Sequence, residues 1–461
     1  ERYQTAVRDL NRLLQLAGQA ASPPAAGAVS LSLADYRDPG LSPLRSADLL
    51  RAADEHARHL FYPFYRRRLA QLTAQDPPVL IGISLNFMSQ ALCAFALAGA
   101  IRAALPGVRL IMGGGLITSW MRIPGFANPF GGLLDALVEG PGEAALLKAV
   151  DAVSPAGQGG ASTGDPSEEL LPSDFDYRGF PLARYLAPGP ILPVSASRGC
   201  YWRRCAFCPE TAEAGPYEPL APPSVSAVVS AALNPVGGQP GEQAAAHPPA
   251  LIHFLDNALA PRLLAHLITH PPGAPWYGFV RLTPQLADPE FVRGLKAAGC
   301  VMLKLGIESG SQRVLDALDK GIDLALASRA LTVLKAAGIA TYVYLLFGTP
   351  PETPADARLT LEFTLAHAPF IDFLNLALFN LPAHCKEAQT LENRAFYPGD
   401  LSLYRDFVHP QGWHREQVRR FLSREFKSAP AIRAILQRDP PYFSSNHAPF
   451  LCYDPASLTS F

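Results

Sequence analysis

Apolar runs that end in glycine alternate with helical segments along this chain, and this alternation limits the folds open to it. Residues 301–305 and 342–347 are rich in β-branched, aromatic and other apolar residues, and glycine and polar residues follow each run. Between the two runs, Val314, Leu315 and Leu318 recur at helical spacing. The pattern predicts parallel strands joined by helices, as in β/α barrels, whose chemistry lies at the carboxyl ends of the strands.

Composition narrows the class of protein. The chain has 461 residues, of which 49% are hydrophobic and 17% charged, enough for two or three globular domains. A net charge of −1 gives no sign of the basic stripe of a nucleic-acid-binding protein. We expect no membrane span, because no apolar run is long enough, and no signal peptide is recognisable. Seven scattered cysteines do not suggest a disulfide framework, so a reducing cytoplasm is expected.

Breaks in composition predict the domain boundaries. We expect an α/β domain at 1–153 with a doubly wound parallel sheet, a linker at 154–190, a partial barrel at 191–382 and a mostly helical region at 383–461 that caps the substrate side. A Pro/Gly/Ala-rich stretch at 234–249 predicts a surface loop. The predicted strands of the first domain are 28–33, 79–85, 108–112 and 134–138, and the predicted helices include 91–105 and 415–426.

Three cysteines lie within nine positions, at Cys200, Cys205 and Cys208. Three thiolates can bind three irons of a cubane iron–sulfur cluster and leave the fourth iron open to a ligand. A structural zinc site is one alternative, but it needs four ligands, and no second C-x2-C or H-x3-H accompanies these cysteines. Unrelated surface cysteines are the other alternative. Arg198, Arg203 and Arg204 add positive charge to the same run.

This run resembles the cluster motif of radical S-adenosylmethionine (SAM) enzymes, although the first spacer has four residues where the family usually has three. The segments at 305–315 and 342–353 resemble the family's G-x-E-S-G and G-x-P-x-E-T strand ends. The resemblance implies a [4Fe–4S] cluster on the three cysteines with SAM on the open iron. It also implies nucleotide contacts from Phe207, Gly306, Glu308, Ser309 and Gly348. A solvated loop carboxylate is the alternative for Glu308.

Asp256 and Asn257 follow another apolar run, at 251–255. In a radical SAM core they would lie at a strand end and contact the methionine part of SAM. The alternative is a turn-forming Asp-Asn pair.

The first domain resembles the cobalamin-binding domain of cobalamin-dependent radical SAM enzymes. The family's S-x-L and G-G elements correspond to residues 84–86 and 113–115, and its G-x-G-E segment to 139–143. In the family's D-x-H-x-x-G element the cobalt-ligating histidine is replaced here by Arg37, which has no lone pair to give a metal. The alternatives are a dinucleotide-type fold that has lost its cofactor, or another nucleotide, although no G-x-G-x-x-G is present. The implied cofactor-binding residues are Arg37, Ser84, Asn86, Gly113, Gly114, Thr118, Glu139 and Gly140.

The two resemblances together imply a C-methyltransferase that acts on a peptide or small-molecule natural-product precursor. Its cofactors would be a [4Fe–4S] cluster, SAM and methylcobalamin, with an external one-electron donor such as flavodoxin or ferredoxin. A radical cyclase or rearranging enzyme without methyl transfer is the first alternative, and an electron-transfer or degenerate binding module is the second. Candidates for the substrate cavity wall, with core packing as the alternative, are Trp276, Tyr277, Arg281 and Tyr344. Cysteines expected to be inert are Cys93, Cys300, Cys385 and Cys452, of which the last two are alternative cofactor-facing residues.

Overall fold

A computed structural model describes residues 2–20, 28–74, 77–153, 185–213, 216–233, 251–383 and 385–453. Most of the predicted linker and the whole predicted loop at 234–249 lie outside the described residues. The chain divides into two compact units, one of residues 1–170 and 381–407, the other of residues 171–380 and 408–461.

The first unit is built on a three-stranded parallel sheet with β4 in the centre. Apolar residues of β4 are buried because helices cover the sheet, and Phe95 and Phe130 meet within the core with ring centroids 4.6 Å apart. The elements up to residue 153 are α1 Arg2–Ala20, β1 Ser30–Leu31, β2 Tyr36–Arg37, α2 Ser46–Asp54, α3 Tyr62–Thr73, β3 Leu80–Ser84, α4 Ala91–Ala104, β4 Arg109–Gly113, α5 Gly115–Met121, β5 Ala136–Leu137 and α6 Glu143–Asp151.

The expectation that 28–33 joins the parallel sheet is wrong. This run forms β1, which pairs with β2 as an antiparallel hairpin. Ser32 closes the turn, since its hydroxyl and amide both bond Asp35, and Asn11 on α1 accepts a hydrogen bond from the amide of Leu33 at 3.0 Å. The chain therefore turns back before it can extend the sheet.

The second unit contains a six-stranded parallel sheet in the order β13-β12-β11-β10-β9-β6, which confirms the predicted α/β class. Every neighbouring pair in it is parallel, and helices connect most consecutive strands. Its elements are β6 Ile191–Val194, β7 Ser197–Arg198, α7 Pro209–Glu213, β8 Glu218–Pro219, α8 Pro222–Leu233, β9 Leu251–Phe254, α9 Pro261–Thr269, β10 Trp276–Val280, α10 Pro289–Ala297, β11 Cys300–Glu308, α11 Gln312–Ala317, α12 Leu324–Ala336, β12 Ala340–Phe347, α13 Pro354–His367 and β13 Phe373–Leu378.

The two faces of this sheet have different neighbours, because side chains alternate along a strand. Leu303 and Leu305 of β11 belong to the core that the sheet shares with the helices. Tyr277, Met302 and Tyr342 lie on the opposite face, which we call the inner face, and there they pack against the C-terminal residues, including Ala448.

The predicted region 383–461 is divided between the two units. Residues up to 407 group with the first unit. There the amide of Leu401 donates to the carbonyl of Leu44. Gly399 lies so close to Leu44 that a Cβ on this glycine would be 2.1 Å from the Leu44 carbonyl oxygen. The predicted helix at 415–426 is an α-helix followed by one π-helical turn, Leu422–Phe426. No helix among the described residues is long and apolar enough to cross a membrane. The remaining elements are β14 Leu381–Pro382, α14 Glu387–Thr390, β15 Asn393–Ala395, β16 Tyr404–Phe407, α15 Arg415–Phe421, α16 Pro430–Leu436 and α17 Ser444–His447.

Candidate functional site

The three cysteines of the motif lie on a loop that follows β6 and β7 at the carboxyl end of the sheet. Two residues of this loop have left-handed backbone conformations, Gly199 with φ of 72° and Arg203 with φ of 49°. Arg203 lies inside the four-residue first spacer, where its conformation turns the longer loop. The amide of Cys208 donates to the carbonyl of Cys205 at 3.2 Å, so the second and third cysteines share one tight turn.

The loop is fastened to the segment between α11 and α12. The amide of Ala206 donates to the carbonyl of Leu318, and the indole of Trp202 donates to the carbonyl of Asp319, each at 3.0 Å. Arg204 adds an ion pair to the Asp319 carboxylate at 3.0 Å. These contacts hold the cysteine loop in place from a neighbouring loop.

The environment of the thiols fits an iron–sulfur cluster. Burial raises the pKa of Cys205, while Lys320 and Arg281 nearby favour its thiolate, and burial raises the pKa of Cys208 to about 11. Thiolates are the form that binds metal, so neighbouring cations favour ligation. Within the described ranges no three His, Cys, Asp or Glu side chains surround a single ion position. Cubane ligands each bind a different iron, so they need not converge on one ion.

Glu308 and Lys320 form a buried ion pair at the end of β11. Their Oε1 and Nζ atoms are 2.8 Å apart, and the side chains are 12% and 10% exposed. Glu308 has a left-handed backbone with φ of 69°, and a Cβ at Gly306 would lie 2.5 Å from its carboxylate, so a side chain at position 306 would displace the pair. Lys320 also lies 5.3 Å from the ring centre of Phe207. The structure thus brings together Gly306, Glu308 and Phe207 beside the cysteine loop.

Asp256 and Asn257 bond the chain that leads into the cysteine loop. The buried carboxylate of Asp256 accepts hydrogen bonds from the amide of Ala196, at 3.0 Å, and from the hydroxyl of Ser197. The Asn257 amide lies 3.5 Å from the carbonyl of Gly199. Both predicted residues therefore hold the start of the cysteine loop through hydrogen bonds.

Ser309 and Gly348 also support the site through their neighbours. The buried hydroxyl of Ser309 lies 3.2 Å from that of Thr360 on α13. Gly348 has φ of 76°, and its amide donates to the carboxylate of Glu352, which accepts a second hydrogen bond from the indole of Trp413 at 2.9 Å. Burial raises the pKa of Glu352 to about 7.

A polar cluster lies on the inner face of the sheet, around Lys304. Its Nζ is 3.4 Å from both His253 Nε2 and Asn446 Oδ1, and 4.9 Å and 5.1 Å from the ring centres of Tyr277 and Phe279. Burial lowers the pKa of Lys304 to about 8, and burial together with Lys304 lowers that of His253 to about 3. The cation is therefore held by neutral groups.

The C-terminal segment extends this cluster. Tyr342 interacts with Ser444 and Asp439, and Tyr344 interacts with Ser445. Burial raises the pKa of Asp439 to about 6, while its hydrogen bond with Tyr342 acts in the opposite direction.

The residues predicted for the substrate cavity wall and the other cysteines lie in different environments. Tyr277 and Tyr344 lie on the inner face, whereas Trp276 packs in the helix-side core and donates to the carbonyl of Ala298 at 2.9 Å. Arg281 points instead at Cys205, with 3.8 Å from Nη1 to Sγ. Burial raises the pKa of every remaining cysteine, namely Cys93, Cys300, Cys385 and Cys452.

The sequence motifs do not include Lys320, Lys304 or Asn446, although the region 383–461 is predicted to cap the substrate side. Lys320 follows Glu308 by twelve positions with no motif around it. Lys304 is a single lysine inside an apolar run. Because lysine is rarely fully buried, its position in such a run is the local signal that could have marked it. Asn446 reaches the cluster only through the fold.

In the first unit, the predicted residues at the ends of β3 and β4 are joined by hydrogen bonds. Asn86 donates to the hydroxyl of Ser84 at 3.2 Å and accepts from the amide of Gly115 at 2.9 Å. Gly114 has φ of 104°, and a Cβ there would lie 2.5 Å from the carbonyl of Leu85, so β4 ends in close contact with the residue after β3. The end of β4 also approaches the segment after β5, since a Cβ on Gly113 would lie 3.2 Å from Val138.

The segment after β5 is joined to the same strand ends. Thr118 donates to the carbonyl of Gly114 at 3.1 Å and accepts from the amide of Gly140 at 2.9 Å. Glu139 pairs with Arg122 at 2.9 Å. Arg37 lies on β2, is 78% exposed and pairs with Asp35. The structure thus gathers most of the predicted residues of this domain at one edge of the sheet.

Comparison with known proteins identifies the domain that carries the cysteine loop. Residues 194–364 match the model of the radical SAM superfamily. The chain contains a radical SAM domain. It extends from β6 into α13 and includes the three cysteines and Glu308. A [4Fe–4S] cluster and SAM are the cofactors of this superfamily.

Similarity to known proteins extends beyond this domain. An uncharacterised methyltransferase of Pyrococcus horikoshii is 24% identical over 318 residues, which cover 64% of this chain and 66% of the relative. The solved structure of the radical SAM methyltransferase TsrM from Kitasatospora setae, bound to tryptophan and a SAM analogue, superposes with a TM-score of 0.53 at 16% identity, over 81% of each chain. The cobalamin-dependent radical SAM enzyme OxsB gives a TM-score of 0.46 at 17% identity, over 65% of this chain and 45% of its own. At these identities the similarity to TsrM shows a shared fold.

Proposed function

We propose that this chain is a cobalamin-dependent radical SAM methyltransferase that transfers a methyl group to carbon in a peptide or small-molecule natural-product precursor. The observation that carries the proposal is the buried Glu308–Lys320 pair beside the cysteine loop. A protein that only transfers electrons has no use for charged side chains beside its cluster, whereas a SAM site can use them to bind the ammonium, carboxylate and hydroxyl groups of the nucleotide. The methyltransferase name of the archaeal relative and the shared fold with TsrM support the choice of reaction.

The residues of the second unit have separate tasks in this proposal. Cys200, Cys205 and Cys208 bind the cluster, and Glu308 and Lys320 bind the polar groups of SAM, with Phe207 near the adenine. Asp256 and Asn257 fix the loop before Cys200. When bound, the cluster supplies the electron that cleaves a carbon–sulfur bond of SAM, after reduction by an external one-electron donor such as flavodoxin or ferredoxin.

The inner face is proposed as the wall of the substrate cavity. Lys304, Tyr344 and Phe279 share that face, and Asn446 contributes from the C-terminal segment. The aromatic rings would pack against apolar parts of a substrate, and the lysine would bond a polar group.

In the first unit, cobalamin is proposed to bind at the carboxyl ends of β3 and β4, where it would supply the methyl group. Gly113 and Gly114 leave room for a close approach of the cofactor's tail, and Ser84, Asn86 and Thr118 provide polar groups. Glu139 and Gly140 would complete this site. Arg37 would occupy the lower face of the corrin without ligating cobalt.

The test uses SAM with a deuterated methyl group and reduced cobalamin, both added anaerobically to the reconstituted enzyme. We expect S-adenosylhomocysteine and the deuterated methyl group on cobalamin, which mass spectrometry detects without knowledge of the substrate. Formation of 5′-deoxyadenosine alone would favour the cyclase or rearrangement alternative. Absence of both nucleoside products would contradict an enzymatic role.

A further inference from the structure

We propose that Arg281 raises the reduction potential of the iron–sulfur cluster by donating an N–H group to the sulfur of Cys205. The inference rests on the proposed function, because it requires a cluster on the three cysteines. It adds a residue that tunes electron transfer into the site and that no cluster motif contains.

The side chain of Arg281 is directed at the cluster ligand by a second hydrogen bond. Arg281 directly follows β10, at the carboxyl end of the sheet. Its Nη1 lies 3.8 Å from Cys205 Sγ, while Nη2 donates to the backbone carbonyl of Lys320. Guanidinium is planar, with five N–H groups in fixed directions, so anchoring one nitrogen on a backbone oxygen sets the direction of the other.

An aromatic contact fixes the same side chain from another direction. The guanidinium carbon of Arg281 lies 4.1 Å from the ring centre of Trp202. Trp202 is itself immobilised, because its indole donates to the carbonyl of Asp319 and a Cβ on Gly321 would lie 2.2 Å from its ring. The donor is therefore preorganised and needs little rearrangement when the charge on the sulfur changes.

The direction of the effect follows from charge. Reduction adds one electron to the cluster and its thiolates, so a cationic donor on a ligand sulfur stabilises the reduced form more than the oxidised form. Lys320 also favours the Cys205 thiolate, but Glu308 offsets its charge at 2.8 Å. Arg204, which precedes Cys205, is paired with Asp319 at 3.0 Å. The guanidinium is thus the positive group that acts on this sulfur through a hydrogen bond.

The test is a potentiometric titration of the reconstituted full chain without SAM, with dithionite as reductant and the reduced cluster followed by electron paramagnetic resonance. Arg281→Gln removes the charge and the planar fork. At the potential at which half of the wild-type cluster is reduced, we expect the ratio of reduced to oxidised cluster in Arg281→Gln to be about tenfold lower. This corresponds to a midpoint potential lowered by about 59 mV for a one-electron couple.

Arg204→Gln is the matched control. Arg204 lies over the same Trp202 ring, at 5.0 Å, but donates to Asp319 rather than to a thiol. This ion pair is exposed, so its loss should disturb the cysteine loop little compared with loss of the two hydrogen bonds to backbone carbonyls. We expect the wild-type midpoint in this variant. A midpoint lowered equally in both variants would mean that general loss of positive charge is responsible, and would overturn the proposal.

Cluster content separates the remaining outcomes. An Arg281→Gln variant with full iron content and the wild-type midpoint overturns the inference and leaves the proposed function intact. If that variant loses iron, Arg281→Met, which is also uncharged and can keep the packing against Trp202, is titrated instead, and a lowered midpoint supports the inference while an unchanged one overturns it. A wild type that holds no iron refutes the proposed function and the inference with it.

Discussion

At the scale of single residues, the buried charges of the second unit carry the functional argument. Breaking a buried ion pair leaves an uncompensated charge, whereas exposed pairs contribute little. Glu308 and Lys320 are both nearly buried, and Glu308 has a backbone conformation that costs free energy for any residue other than glycine. A nearly buried carboxylate with a strained backbone close to Cys205 fits the proposed role of Glu308 in SAM binding.

We expect Glu308→Ala to weaken SAM binding at least tenfold, because the variant removes an acceptor for the polar groups of SAM and leaves Lys320 unpaired. Equilibrium dialysis with SAM measures the affinity, and iron analysis should show unchanged cluster content. Glu416→Ala, which removes an exposed carboxylate on α15, is the control and should bind SAM normally. Unchanged affinity in Glu308→Ala would mean that the carboxylate is only a charge on a loop and does not bind SAM.

Lys304→Met should leave stability at pH 7 unchanged or increased while turnover falls. Burial lowers the pKa of Lys304 from 10.5 to about 8, so the folded protein disfavours its charged form. Between pH 8 and pH 10.5 the unfolded chain binds the proton that the folded protein does not, so wild-type stability rises with pH across that window through this group. Urea unfolding at several pH values should show that the free energy of unfolding of the wild type, taken relative to the variant, rises between pH 8 and pH 10.5, because the other buried titratable groups contribute equally to both proteins. A strongly destabilised Lys304→Met at pH 7 would mean that the lysine supports the fold.

Arg37 should leave cobalt without a nitrogen ligand from the protein. The purified protein with cobalamin is expected to show a base-off spectrum, and electron paramagnetic resonance of the cob(II)alamin form should lack nitrogen splitting from a lower ligand. The reason is that guanidinium has no lone pair to give a metal. Nitrogen splitting in the wild type would exclude Arg37 from that face of the corrin.

At the scale of elements, the cysteine loop depends on the loop between α11 and α12. Gly321 has φ of 64° and lies directly against Trp202, so this glycine both turns the chain and admits the indole. The geometry of a cluster motif with an additional residue is thus supported by a segment more than one hundred positions away.

Gly321→Ala should destabilise the protein by about 1–3 kcal/mol and lower its cluster content, because an alanine there is strained and meets the Trp202 ring. Urea unfolding of the iron-free protein gives the stability, and iron analysis gives the content. Gly273→Ala measures the cost of the left-handed backbone alone, since φ is 79° there and a Cβ would meet no atom within 4 Å. Equal losses of iron in both variants would contradict a specific role for the Trp202 contact.

Sequence patterns predicted the strands better than they predicted the partners of the strands. The runs at 301–305 and 342–347 are strands, because apolar residues bounded by glycine have few other ways to be buried. The run at 28–33 has a similar composition, yet Ser32 and Asn11 turn it into a hairpin. Its outcome depends on a side chain twenty-two residues away, which no local pattern contains.

The same limit applies to the site. Motif spacing singled out the cysteines and Glu308 as candidates, because the residues of a loop or strand end are consecutive in sequence. Lys320, Arg281 and Asn446 reach their partners only through the order of strands in the sheet and the return of the C-terminal segment. Such contacts are long-range, and composition does not encode them.

At the scale of the whole molecule, the chain consists of two compact units, each with its own hydrophobic core. The chain crosses back into the first unit for residues 381–407 before it ends in the second. The residues proposed for the cluster and SAM all belong to the second unit, and those proposed for cobalamin all belong to the first. Loading of the two cofactors should therefore be separable.

We expect the triple variant Cys200→Ala, Cys205→Ala, Cys208→Ala to lose its iron and still bind cobalamin with wild-type affinity. The reciprocal variant is Gly114→Val, which should abolish cobalamin binding and keep full iron content, because a side chain at φ of 104° would meet the Leu85 carbonyl at 2.5 Å. Iron analysis and the visible spectrum of bound cobalamin measure the two contents in the same samples. Gly132→Val controls for strain alone, since φ is 96° and a Cβ there meets no atom within 4 Å. If the triple variant loses cobalamin as well, the two sites are not independent, and if the wild type binds none, the methyl-transfer proposal fails.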